Sequence, residues 1–198
     1  YFYISLLCTF LIGFIINSLY QATVPHVQDL GMGADFSAII LSVFMVTIAV
    51  SKFLVGFLND RIGFVKTYML CMGCAMAASI LFVTMKSREA AAVYAIVQGF
   101  CLPLETVLIP LTVSQLFGNK DFASIFGLYT AFSSAGIAAG NPLFNLAYDL
   151  WGSYTHAALI YAGLLGIIIV SMAFVFRLAK RERTDYAAKY GEVSELRS

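Results

Sequence analysis

Six apolar stretches, each about as long as the hydrocarbon core of a bilayer is thick, constrain this chain more than any other feature. They cover residues 2–22, 36–58, 67–85, 90–115, 123–148 and 155–177. A helix needs about 20 apolar residues to span a membrane. At about 1.5 Å of rise per residue the shortest stretch still reaches roughly 28 Å. Strands fit poorly, because no stretch alternates polar with apolar residues. Composition closes off a soluble globule: charged residues make up 12%, against about a quarter in soluble domains. So little charge cannot cover the surface of a 198-residue globule in water. An all-α membrane protein with six crossings is expected.

Polar and turn-forming residues collect between the stretches, at residues 23–35, 59–66, 86–89, 116–122 and 149–154. The first, third and fifth of these carry only Lys86 and Arg88 as cations. The second and fourth, with the tail, carry Arg61, Lys66, Lys120, Arg177, Lys180, Arg181, Arg183, Lys189 and Arg197. Cations stay on the cytoplasmic side, so the tail (residues 179–198) is expected in the cytoplasm and the chain in the cytoplasmic membrane. Most of that excess comes from the tail. Residue 1 already belongs to an apolar run, with no basic leader before it; the chain is expected to continue upstream.

A repeat is visible at the turns. Asp60-Arg61-Ile62-Gly63 closes the second stretch and Asp149-Leu150-Trp151-Gly152 closes the fifth. With three crossings between them, the copies fall on opposite faces of the membrane. Residues 1–178 therefore read as two inverted three-helix repeats, a pattern of secondary transporters.

Other chemistries find little support. Cys71 and Cys74 form a C-x-x-C inside an apolar run, with no second pair and no nearby His. Soft packing residues describe them better than a metal or redox site. His26 and His156 stand alone near loops, and no nucleophile elbow, phosphate loop or dinucleotide fingerprint occurs. Catalysis, cofactors, metals and nucleic acid are not expected.

The run Gly56-Phe57-Leu58-Asn59-Asp60-Arg61-Ile62-Gly63-Phe64-Val65-Lys66 resembles the major facilitator superfamily's loop signature, G-x-L-x-D-R-x-G-R-[RK]-x. Gly56, Leu58, Asp60, Arg61 and Gly63 match in register. Lys66 comes one place late, and Phe64 and Val65 replace the usual basic pair. The resemblance implies the C-terminal six-helix half of such a transporter, with an N-terminal half still to be supplied. It also implies a conformational gate, in which Asp60 accepts hydrogen bonds from a neighbouring helix end or an Arg. Phe117-Gly118, residues 122–127, Gly140-Asn141-Pro142-Leu143 and residues 149–154 resemble the monocarboxylate and oxalate/formate antiporter branch.

Ionisable groups at membrane depth cost roughly 2.5–3.5 kcal/mol on insertion scales and invite a functional reading. Lys52 shares a helix face with Met45, Ile48, Ala49 and Gly56. It resembles the cation of that branch's R-x-x-x-G and would pair an anionic substrate; the alternative is a Lys snorkelling to the headgroups. Glu105 lies between Pro103 and Pro110. Those prolines remove the bonds to the carbonyls of Gly99 and Thr106, so the fourth span is expected to bend or break. Burial there would favour an uncharged Glu105 able to carry a coupled proton; the alternative is a structural Glu held by Lys52 or freed backbone. The fifth stretch has no charge at all, which argues against a dianion gripped by two cations in this half. Tyr129, Ser133, Asn141 and Asn17 are further candidates to hydrogen-bond a small substrate. The leading expectation is a secondary carrier for a small organic anion. A drug or sugar exporter of the same fold, or a free-standing six-helix channel or receptor-like module, stays open.

Overall fold

The computed structural model describes residues 1–195, with side chains up to Glu182. It is 89% helical, and no strand occurs among the described residues. The helices are α1 (Phe2–Asp29), α2 (Ala34–Ile62), α3 (Phe64–Thr84), α4 (Arg88–Gly99), α5 (Pro103–Thr106), α6 (Leu108–Phe117), α7 (Phe122–Trp151) and α8 (Thr155–Glu195). Five are long and apolar enough to cross a membrane on their own. The sixth crossing is the chain α4–α5–α6, bent by 43° before Leu108. This is an all-α, multi-pass membrane protein with the six spans read from hydropathy.

The connections are shorter than the polar residues suggest. Residues 23–35 were expected as a loop, yet α1 runs through Pro25 to Asp29 and leaves only residues 30–33 between helices. Pro25 loses one helical bond, but its turn is held by buried Val27 and by the ring of His26 stacked on Phe82 at 4.5 Å. The expected loop at 59–66 shrinks to Gly63 alone, which ends α2 and starts α3 at φ 87°, ψ 157°. Backbone of that shape is open to glycine and closed to residues with a Cβ. At the other end, α8 passes the expected boundary at 177 and stays helical to Glu195, so most of the tail continues a helix. Residues 196–198 of the tail lie outside the described residues.

Packing repeats with the sequence. The first span packs most extensively on the fifth, and the fourth on the second; the third and sixth pack on each other. Exchanging the two three-helix halves leaves this pattern unchanged. Residue-level contacts follow the same rule. The interval from Asp60 to Asp149 also separates Gly63 from Gly152, Thr47 from Gly136 and Phe10 from Gly99. Gly136 lies against the backbone carbonyl of Phe10, and Gly99 lies against Thr47. One crossing point therefore serves twice, with its glycine moved to the partner helix.

These contacts let backbones approach where lipid provides no hydrophobic drive between helices. Along α1–α7 the seam is Gly13 on Ser133, Gly136 on Phe10, and Gly140 on Phe14 and Ser18. Gly136→Leu should splay this seam, with a loss of about 1–3 kcal/mol or more from overpacking. Gly127→Leu, where a side chain meets open space, should be near neutral. Thermal unfolding of the two purified variants in one detergent checks the contrast.

Candidate functional site

Span four supplies the site because it cannot stay helical. α4 ends at Gly99 and α5 at Thr106, the two residues whose carbonyls lose a donor to Pro103 and Pro110. A carbonyl freed inside hydrocarbon needs a partner from protein. Ser51 Oγ of α2 supplies it, 2.9 Å from Gly99 O, a hydroxyl it shares with the carbonyl of Ile48. The break is thereby tied to the helix that carries Lys52.

Across the break, span four is laced to α1 by polar contacts. Tyr94, fully buried, donates to Leu19 O at 3.1 Å and lies 3.2 Å from the hydroxyl of Thr23. Gln98 donates to Ile16 O at 3.1 Å. Asn17 Nδ2 donates to Glu105 Oε2 at 2.7 Å. The other carboxyl oxygen, Oε1, is sealed from solvent and has no hydrogen-bond partner among the described residues, as is true of Gln98 Oε1. Asn17 thus holds the carboxyl of Glu105, which makes no hydrogen bond with Lys52. Asn17 belongs to a partly open stripe of α1 that continues through Phe14, Gln21 and Gln28.

Lys52 is exposed on α2 in a stripe of small or flexible residues: Ala38, Ser42, Met45 and Ala49. About 100° around the helix lies a second exposed stripe, Ile39, Val46, Val50, Phe53 and Phe57, with Phe53 82% exposed. The bulky stripe suits lipid. The small stripe, with a cation in it, does not. Its outer part borders a crevice with Val24 and Gln28 of α1.

Asn141 stands where the repeat interval carries Lys52. It is half-buried, its Oδ1 has no hydrogen-bond partner among the described residues, and its stripe on α7 is Gly127, Ala131, Ser134, Ala138 and Asn145. The two edges of the bundle therefore present matching small-residue faces, one with an ammonium and one with a carboxamide. Tyr129 and Ser133 sit elsewhere. Both are buried on the side of α7 that meets α1, with the hydroxyl of Tyr129 hydrogen-bonded to Ser5 and Ser133 against Gly13. Steric closure of that seam turns them away from the stripe of Asn141.

In the signature loop, Asp60, Arg61, Gly63 and Lys66 are exposed and Gly56 half-buried. Asp60 accepts a long bond of 3.4 Å from Asn59, and the Arg61 guanidinium lies over the ring of Phe57 at 4.9 Å. Groups with a part in the arrangement that were not among the expected ones include Ser5, Gln21, Thr23, Gln28, Ser51 and Tyr94. Helical spacing from Asn17 would have found Gln21 and Gln28; the hydroxyls carry no signal apart from their neighbours in space.

A sequence profile of the Major Facilitator Superfamily matches residues 3–196. The chain belongs to the major facilitator superfamily. One curated relative, monocarboxylate transporter 13 of Rattus norvegicus, is 28% identical over 146 residues, which is 73% of this chain and 34% of the relative. The chain thus spans about a third of that transporter's length. A multi-pass membrane protein built of apolar helices agrees with both fold and family.

The Asn17–Glu105 contact has a measurable signature. Asn17→Leu should lower thermal stability by about 1–3 kcal/mol, the cost of stranding a buried polar group. Glu105→Gln keeps an acceptor for Asn17 and should cost much less. Unfolding of both single variants and the double variant gives the coupling between them.

Proposed function

We propose that this chain forms part of a secondary active transporter that moves a small organic anion, of the monocarboxylate class, by alternating access. The observation that carries this reading is Lys52, a cation set in an exposed stripe of small residues rather than in the bulky stripe that suits lipid. Small neighbours leave room beside the ammonium, and low polarity around it strengthens attraction for a carboxylate. The name of the rat relative, monocarboxylate transporter 13, points the same way.

In this reading Lys52 pairs the substrate, while Asn17 and Asn141 offer it hydrogen bonds from the centre and the opposite edge. Tyr129 and Ser133 support that face from behind, through the α1–α7 seam. Glu105 carries the coupled proton: neutral it can sit in apolar surroundings, charged it needs Asn17 and a water path. Gly56, Asp60, Arg61, Gly63 and Lys66 form a hinge and latch at one membrane face. That face, with the tail, is the cytoplasmic one by its excess of Lys and Arg. A second six-helix half closes the other side of the cavity, in the cytoplasmic membrane, and coupling is proton symport or exchange against another anion.

Full-length protein in proteoliposomes should take up a labelled short-chain monocarboxylate. Lys52→Ala should abolish uptake and Lys52→Arg should retain part of it. Unchanged uptake by Lys52→Ala overturns the role of Lys52, and uptake of lipophilic amines instead of carboxylates favours an exporter. Glu105→Gln, locked in a neutral form, should retain exchange of substrate across the membrane and lose accumulation driven by a proton gradient.

A further inference from the structure

One line along α2 joins the cation to the crevice at the helix's other end. At about 100° per residue, Ala34, Leu41, Met45 and Lys52 fall within roughly 20° of a common line. The first three line a crevice of about 650 Å³, whose far wall is Val24 and Gln28 of α1. Met45 stands about 10 Å of helix rise from Lys52. Helical side chains lean towards the N-terminus of their helix, which carries the ammonium towards Met45. Cation and crevice therefore follow one another on a single open face.

The chemistry of the crevice is one-sided. Val24, Ala38, Leu41 and Met45 make its walls apolar, and no charged residue lines it among the described residues. Ser37 and Ser42, which also line it, donate their hydroxyl protons to the carbonyls of Gly33 and Ala38, each at 3.0 Å. A lipophilic amine meets no carboxylate on these walls, and a sugar meets too few free donors for its hydroxyls. A hydrocarbon chain suits them.

We propose that this crevice receives the hydrocarbon tail of the transported anion, so that the substrate is an aliphatic monocarboxylate several carbons long. Its carboxylate pairs with Lys52 and its tail lies against Met45, Leu41 and Ala38. This rests on the reading of Lys52 as the anion-pairing group and names the part of the substrate which that reading leaves open. The crevice belongs to the small-residue stripe of α2, not to the bulky stripe that suits lipid. Its volume falls in the range that encloses small organic ligands. Met45, unbranched and flexible, adapts to tails of different length.

The test is isothermal titration of the full-length protein in lipid nanodiscs, at neutral pH, with propionate, butyrate, pentanoate and hexanoate. Affinity should rise about fourfold per added methylene, the transfer free energy of one buried CH₂. Ala38→Trp, which fills the crevice, should flatten that rise. Ile39→Trp puts the same ring on the bulky stripe, where Ile39 is exposed, and should leave the rise intact. Lys52→Ala should weaken every acid by a common factor and keep the rise, so the two readings fail separately. A series without chain-length dependence, as a side chain of the second half filling the crevice would give, overturns the tail site. A rise that survives Ala38→Trp, or is lost equally in Ile39→Trp, overturns it too. Affinities unchanged by Lys52→Ala overturn the pairing instead, and no binding of any acid overturns both. Should Ala38→Trp fail to purify as a single species, Ser42→Leu serves, expected to make the rise shallower.

Discussion

In hydrocarbon, a backbone carbonyl without a partner has no water to turn to, and the arrangement of this bundle depends on how one such carbonyl is answered. Pro103 frees the oxygen of Gly99, and Ser51 takes it. The price of that solution is proximity: Gly99 must lie against Thr47, so α2 and span four meet at that level with only the Thr47 side chain between them. Beyond the break the short helix α5 sets Glu105 beside Asn17 of α1, and the chain bends before Leu108. One missing N–H thus couples helix packing to the placement of the carboxyl.

The two halves of the chain share their mechanics but not their chemistry. Equivalent crossings join span one to span five and span four to span two, with Gly136 matched to Thr47 and Gly99 to Phe10. Functional groups break that symmetry. Lys52 is matched by Asn141, Glu105 by Ile16, and Asn17 by Thr106. A bundle of this kind keeps a glycine on one partner of each equivalent crossing, because lipid-embedded helices associate through close packing. Charge, which is costly at depth, appears at single positions where a polar contact or an open face receives it.

Much of this was legible before any coordinates. Apolar length marked all six spans, and the two prolines marked both places where span four interrupts, because ring closure removes a donor whatever the surroundings. Loops were overestimated. Polar residues such as His26 and Asn59 look like connection in a linear reading, yet they lie in the last turns of helices, where His26 stacks on Phe82 and Asn59 O accepts from Gly63 N. Tyr129 and Ser133 show the same limit from the other side. A hydroxyl in an apolar helix is equally suited to a substrate and to a neighbouring helix, and only the position of Ser5 and Gly13 distinguishes the two.

What the sequence determined by itself follows from terms that are local and additive: burial of apolar length in lipid, the missing N–H of proline, and the backbone freedom of Gly63. These set the class of the protein, the number of crossings and the bends. Which face of each helix turns inward depends on contacts between residues far apart in the chain, such as Gly136 with Phe10 and Asn17 with Glu105. Those depend on steric fit and hydrogen-bond geometry in three dimensions, and the tertiary structure alone decided them.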